Sequence, residues 1–118
     1  MYINFSKIPH SQWVEEQKVA AKQRWLSIVD INAPDIDPNA DTEQIYEMAE
    51  KCCKIIYDTL CTESYGILRK NSYYSVYVDA EPTFVYQLQR LLLSAGIMPT
   101  VPTFDKNGKF VKFRPIEY

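Results

Sequence analysis

Apolar and polar residues change period several times along the chain, and each change predicts an element. Tyr2–Ser6 is short and β-prone, with Ile3 and Phe5 on one face, and predicts a first strand. Ser11 is placed to cap a following helix, and Glu15 and Glu16 suit the positive end of its dipole. That helix is expected to run to Trp25, with Trp13, Val14, Ala20, Ala21 and Trp25 giving only a loose apolar stripe. Residues 26–31 are largely apolar, the pattern of a strand covered on both faces. Residues 32–40 hold two prolines among small acidic and amide residues, so they predict a loop.

Asp41 and Gln44 have the spacing of a capping box. Behind them Ile45, Met48, Ala49, Cys52, Ile56 and Leu60 keep a clean helical period, which predicts the longest helix of the chain. Residues 62–71 predict a loop, with a turn at Gly66 and with Arg69 and Lys70 exposed. Residues 73–78 are strongly β-prone. Pro82 fits the first turn of a third helix with Phe84, Val85, Leu88, Leu91, Leu92 and Ala95 on its buried face, and Gly96 ends it. Met98–Phe104 predicts a fourth strand, placed near an edge or interrupted because Pro99 and Pro102 lack an N–H. Residues 105–108 predict a tight hairpin in which Asn107-Gly108 supplies positive φ, leading into an antiparallel last strand through Phe110, Val111 and Phe113.

The predicted order is β-α-β-α-β-α-β-β. Such alternation implies a mostly parallel sheet with right-handed crossovers and helices on its faces. The expectation is one α/β domain over residues 1–118, Rossmann-like and three-layered, with a C-terminal antiparallel hairpin.

Composition narrows the function classes. At 118 residues, 47% apolar and 24% charged, the chain matches an ordinary soluble domain. Its nine tyrosines suit strands, interfaces and ligand walls alike. A net charge of −2 argues against binding long nucleic acid, which needs a dense cationic surface. No apolar run approaches the roughly 20 residues of a membrane span, and Tyr2 to Gln12 lacks a signal-peptide pattern, so a cytoplasmic location is expected. The three cysteines Cys52, Cys53 and Cys61 do not suggest a disulfide framework, and a single histidine argues against a Cys/His zinc site. They read as thiols serving as small apolar groups.

In a parallel sheet the C-terminal strand ends share one rim, where ligands sit. That rim is expected to gather Ser6, Lys7, His10 and Ser11 after the first strand, Asp30 and Asn32 after the second, and Asp79, Glu81 and Thr83 after the third. With three glycines in all and none after the first strand, a dinucleotide-cofactor dehydrogenase is excluded, and the missing P-loop lysine argues against an ATPase. No cofactor is expected. His10 is the only imidazole, read either as a catalytic group or as a surface or capping residue; with Ser11 it makes no triad, since no third orienting group can be identified. Asp35 and Asp37 read first as turn residues and only second as cation ligands, so no metal is expected. Lys106, Lys109, Lys112 and Arg114 put four cations on the last hairpin, as a solvated edge or as a meeting surface.

Asn4-Phe5-Ser6, His10-Ser11-Gln12-Trp13, the stretch from Asp30 to Pro38, Glu81-Pro82-Thr83-Phe84 and the closing Phe110-Val111-Lys112-Phe113-Arg114 carry a resemblance. The chain resembles small stand-alone prokaryotic proteins related to the CRISPR-associated Rossmann fold (CARF), several of which accompany type III CRISPR systems. The resemblance implies a homodimer that binds cyclic oligoadenylate at the strand rim, and some members, the ring nucleases, cleave that ligand. It implies that the first-strand turn (Ser6, Lys7, His10, Ser11) and the third-strand turn (Asp79, Glu81, Thr83) face the ligand, and Asp30 and Asn32, which share the rim, are expected to bind it too. It also implies that His10 or Lys7 stabilises phosphoryl charge while a ribose 2′-hydroxyl attacks, without metal. A carboxylate-bearing third turn departs from the usual polyanion site.

Two other readings compete. One is a non-enzymatic interaction module, for example an accessory protein of a phage or mobile element, using the Tyr-rich strands and the basic hairpin. The other is a metal-dependent phosphodiesterase built on Asp30, Asp35 and Asp37.

Overall fold

In the computed structural model, which describes residues 1–63 and 74–117, the elements run β1 (Tyr2–Ser6), a 3-10 turn (His10–Gln12), α1 (Glu15–Trp25), β2 (Ile28–Asn32), α2 (Thr42–Glu63), β3 (Ser75–Val78), α3 (Pro82–Ser94), β4 (Met98–Phe104) and β5 (Phe110–Pro115). The expected loop residues Ser64–Asn71 and the expected strand start at Tyr73 lie outside the described residues. The sheet has five strands in the order β2-β1-β3-β4-β5. β1 runs parallel to both β2 and β3, β3 runs parallel to β4, and β4 pairs antiparallel with β5. This is the α/β order read from the sequence, with the C-terminal hairpin at the sheet edge.

β1 is an interior strand, and all five of its residues are buried. Successive strand side chains point to opposite sides, and two apolar clusters divide accordingly. Ile3 and Phe5 join Ala49, Cys52, Ile56 and Leu60 of α2 and Phe84, Leu88 and Leu92 of α3. Tyr2 joins Ala21 and Trp25 of α1 and Phe113 of β5. Asn4 and Ser6 alternate with Ile3 and Phe5, so the side of β1 that begins with Tyr2 turns polar toward the C-terminal end. The Tyr2 hydroxyl donates to the Thr100 carbonyl at 3.3 Å and accepts from Thr100 Oγ1 at 3.0 Å, tying β1 to β4 across β3. Burial pushes this phenol far above its ordinary pKa, despite the Thr100 hydrogen bond.

Local signals held where backbone groups needed a partner. Gln44 N donates to Asp41 Oδ1 at 2.8 Å and Asp41 N donates to Gln44 Oε1 at 2.9 Å, closing the capping box of α2. Pro82 opens α3, and Gly96 follows it at φ +81°. Cys52 and Cys53 lie in α2, where burial pushes both thiols up.

Several expectations need correction. Ser11 does not cap a helix: it lies in the 3-10 turn, Trp13 is extended, and α1 begins only at Glu15 behind Val14. Trp13 leaves the helix to lean its ring on Tyr2, 6.1 Å between centroids. β2 starts at Ile28, lies at the sheet edge and is half exposed, so it is not covered on both faces. Ala95 is an exposed cap residue, outside the buried face of α3. The reading of β4 as near an edge or interrupted stands: it is next to the edge strand, and its registered pairing with β3 covers only Ser75–Met98 and Val76–Pro99. A proline at that position ends the ladder because it cannot donate. In the hairpin turn only Gly108 has positive φ (+79°). Asp105 Oδ1 accepts from Asn107 N and Lys109 N, both at 2.9 Å, so the carboxylate shapes the turn and the register shifts at Thr103/Phe104.

Leu26 carries the one positive φ of a non-glycine residue among those described (φ 69°, ψ −39°). Ser27 N donates to Trp25 O at 2.8 Å, which makes a γ-turn of the strained hand centred on an 83% exposed leucine. The turn lets Trp25 enter its cluster while Ser27 O accepts Tyr2 N at 2.8 Å. Leu26→Gly should relieve backbone strain of about 1 kcal/mol and raise the melting temperature by about 4 °C. An unchanged or lowered melting temperature would mean the turn is not strained.

Candidate functional site at the sheet rim

The chain leaves β1 for β2 on one side and returns to β3 on the other, so the C-terminal end of β1 is where the connections diverge. Such a point forms a crevice outside the strand ends. Ser6 lies in register with Asn32, and Phe5 with Val78, so three loops start at one level.

The first loop is held from below by Asn4. Its side-chain amide donates to Ile8 O at 2.7 Å and to Asp30 Oδ1 at 2.8 Å. Ser6 Oγ accepts from Ile8 N at 3.2 Å and lies 2.8 Å from Asn4 Oδ1 and 3.0 Å from Ile8 O. Ser6 is buried, and its hydroxyl is committed to folding this loop over Asn4. The loop then delivers His10 to Asp30. The His10 backbone N–H donates to Asp30 Oδ1 at 3.1 Å, and ring Nδ1 lies 3.0 Å from each carboxylate oxygen. Partial burial works to raise the Asp30 carboxyl, but hydrogen bonds from Asn4 and from the His10 ring and backbone outweigh it and hold it below its ordinary pKa. Trp13 sets its ring edge-on to His10, centroids 6.0 Å apart, and to Tyr77 at 6.5 Å.

A cavity of about 360 Å³ opens between the three loops, lined by neither His10 nor Asp30 and walled by Lys7 and Ile8, Asp35 and Ile36, and Asp79 and Glu81. Lys7 forms an ion pair with Asp35 across it. A larger cavity of about 610 Å³ shares Ile36 and Glu81 and reaches the first turns of α2 and α3. Both helix starts are already supplied with a carboxylate. Asp41 caps α2, and Glu81 accepts from Thr83 N and Phe84 N, both at 3.1 Å, and from the Thr83 hydroxyl. The Thr83 hydroxyl and amide bonds lead in holding Glu81 below its ordinary pKa. Tyr77 is pushed up to about 12, by burial first and then by the adjacent Asp79 carboxylate.

The rim therefore brings together Lys7, Asp79 and Glu81 around one cavity, and His10 and Asp30 in direct contact. Thr83 lines the larger cavity, while Asn32 and Ser11 are exposed and line neither. Asp35, weighed from sequence as a turn residue or cation ligand, is the partner of Lys7. Among the described residues no three His, Cys, Asp or Glu side chains are grouped to hold a metal ion. Sequence reasoning missed Asn4 as the residue that organises the site. Its signal was available: an amide in the middle of a strand otherwise built of Tyr2, Ile3 and Phe5 must find buried partners.

Among the described residues no helix is long and apolar enough to cross a membrane. Compared with protein-family models, curated proteins and solved structures, the chain finds no match.

Proposed function

We propose that this chain is a Rossmann-like, three-layer domain that binds a cyclic oligonucleotide second messenger, cyclic oligoadenylate, at the rim. In this reading it acts as a homodimer and cleaves the ring without metal, in type III CRISPR antiviral signalling. The observation that carries the reading is the imidazole of His10 held by Asp30, which Asn4 holds in turn, on the same loop as Lys7 where the parallel strands end. The two apolar clusters that divide along β1 support the layering.

Ring opening asks for alignment and charge stabilisation. A ribose 2′-hydroxyl attacks the adjacent phosphorus, and the site holds the attacking and leaving oxygens in line while meeting the charge on the phosphoryl oxygens. Lys7 is the cation for that role, and a phosphate reaches it by displacing Asp35. Asp79 and Glu81 repel a polyanion from the same cavity, so the ligand is expected to seat toward His10 and Lys7. A second reading has one observation in its favour. Phe104 and Val111 are exposed on the hairpin that also presents Lys106, Lys109, Lys112 and Arg114, a surface suited to a protein partner in an accessory module.

Thermal melts against a panel of cyclic oligonucleotides, followed by chromatography of the ligand, test the proposal. Free ligand at about 100 times Kd should stabilise the fold by about 2.7 kcal/mol. A shift with linear product supports cleavage, and a shift with intact ligand reduces the proposal to binding. No shift with any cyclic oligoadenylate sinks it and leaves the hairpin reading.

A further inference from the structure

We infer that Asp30, backed by Asn4, is a positioning residue that fixes neutral His10 as its Nδ1–H tautomer, so that Nε2 is the proton acceptor for the attacking 2′-hydroxyl. The role assigned to Nε2 rests on the ring-cleavage reading above; the tautomer does not.

The argument starts from donor and acceptor inventory. An ionised carboxylate only accepts hydrogen bonds, so a neutral imidazole facing Asp30 must present a proton on Nδ1. Both carboxylate oxygens lie 3.0 Å from Nδ1, and Oδ1 also takes the His10 backbone N–H at 3.1 Å. Ring and backbone of His10 are thus tied to one carboxylate. That carboxylate is itself fixed by Asn4 Nδ2 at 2.8 Å, and the second amide proton of Asn4 is spent on Ile8 O at 2.7 Å. Asn4 therefore has no donor left with which to follow any other arrangement. Among the described residues nothing hydrogen-bonds Nε2, and the His10 side chain is 28% exposed, so the lone pair on Nε2 has no protein partner to compete with a ligand. The hydrogen bond at one ring nitrogen decides the chemistry of the other.

In the proposed step the 2′-oxygen–phosphorus bond forms and the phosphorus–5′-oxygen bond breaks. The 2′-hydroxyl proton passes to Nε2, and the resulting imidazolium returns a proton to the departing 5′-oxygen. The products are a 2′,3′-cyclic phosphate and a 5′-hydroxyl, with no redox change and no second reactant. Asp30 touches neither reacting oxygen and acts only through His10.

His10 is the one histidine in the chain, so its ring nitrogens can be read by long-range ¹H–¹⁵N spectroscopy without assignment. The neutral wild-type protein should show a protonated Nδ1 and a bare Nε2, and Asp30→Ala should move the proton toward Nε2. A wild-type spectrum with the proton on Nε2 overturns the inference whatever the ligand. Cleavage is then followed with cyclic oligoadenylate. His10→Gln should slow turnover by about 10²–10⁴-fold, and Asp30→Ala should lower kcat with KM little changed. The expected tautomer with unaltered turnover in His10→Gln removes the proton-acceptor role. The expected tautomer with no cleavage by wild type overturns that role along with the ring-nuclease reading, while the Asp30–His10 geometry stands.

Discussion

Phe84→Ala is expected to remove about 3–5 kcal/mol of folding stability, the range for a fully buried phenylalanine. Phe84 is fully buried in the first turn of α3, its ring nearly parallel to that of Phe5 at 6.4 Å between centroids. It joins α3 to the buried strand β1, just after the loop that ends in Glu81. An alanine there leaves a cavity between elements that are each held by other contacts, so the site has little freedom to collapse. For a domain of this size, with about 5–15 kcal/mol in total, the variant should unfold at much lower denaturant. A urea titration measures the difference, and a loss below about 1 kcal/mol would contradict the packing described. Loosening here should also blur the cavity walled by Ala80 and Glu81, so ligand affinity is expected to fall with stability.

Asn4→Leu should cost about 2–4 kcal/mol at neutral pH, through a lost bond to a charged carboxylate and the loss of one of the two donors to the Ile8 carbonyl. Asn4 is buried, and its amide serves Ile8 O and Asp30 Oδ1 together. The loss should depend on pH, and its sign follows from Asp30. In the wild type Asp30 is held below its unfolded pKa, so its contribution is full above that unfolded value and fades as pH falls through the folded one. Without Asn4, a major opposition to burial is gone and the carboxyl moves upward. The deficit of the variant relative to wild type should then shrink between pH 7 and pH 3.5. Paired denaturant titrations at the two pH values check this, and a deficit constant with pH would mean that Asn4 does not act on the Asp30 charge.

What could be read in advance was set by neighbours in sequence. The Asp41–Gln44 box closes over three residues, Pro82 removes a donor where the helix would not use it, and Gly96 takes a φ other residues avoid. The run from Ile45 to Leu60 keeps one face for sixteen residues, and β4 occupies Met98–Phe104 as its pattern predicted. The level at which the strands end was also legible, because parallel strands of similar length align their ends. Ser11 and β2 went astray because their surroundings lie far off in the chain. The pull on Trp13 comes from Tyr2 and Tyr77, and the exposure of β2 comes from its edge place in the sheet.

By itself the sequence determined most of the element types and the α/β class, since capping, periodicity and proline or glycine geometry are local energies. Only the tertiary structure decided that His10 meets Asp30, twenty residues away, and that Lys7 meets Asp35. The first contact depends on Asn4 and Asp30 standing in register across two parallel strands. Parallel register is fixed by the burial of whole strand faces against the helices, so no local pattern around His10 carries it.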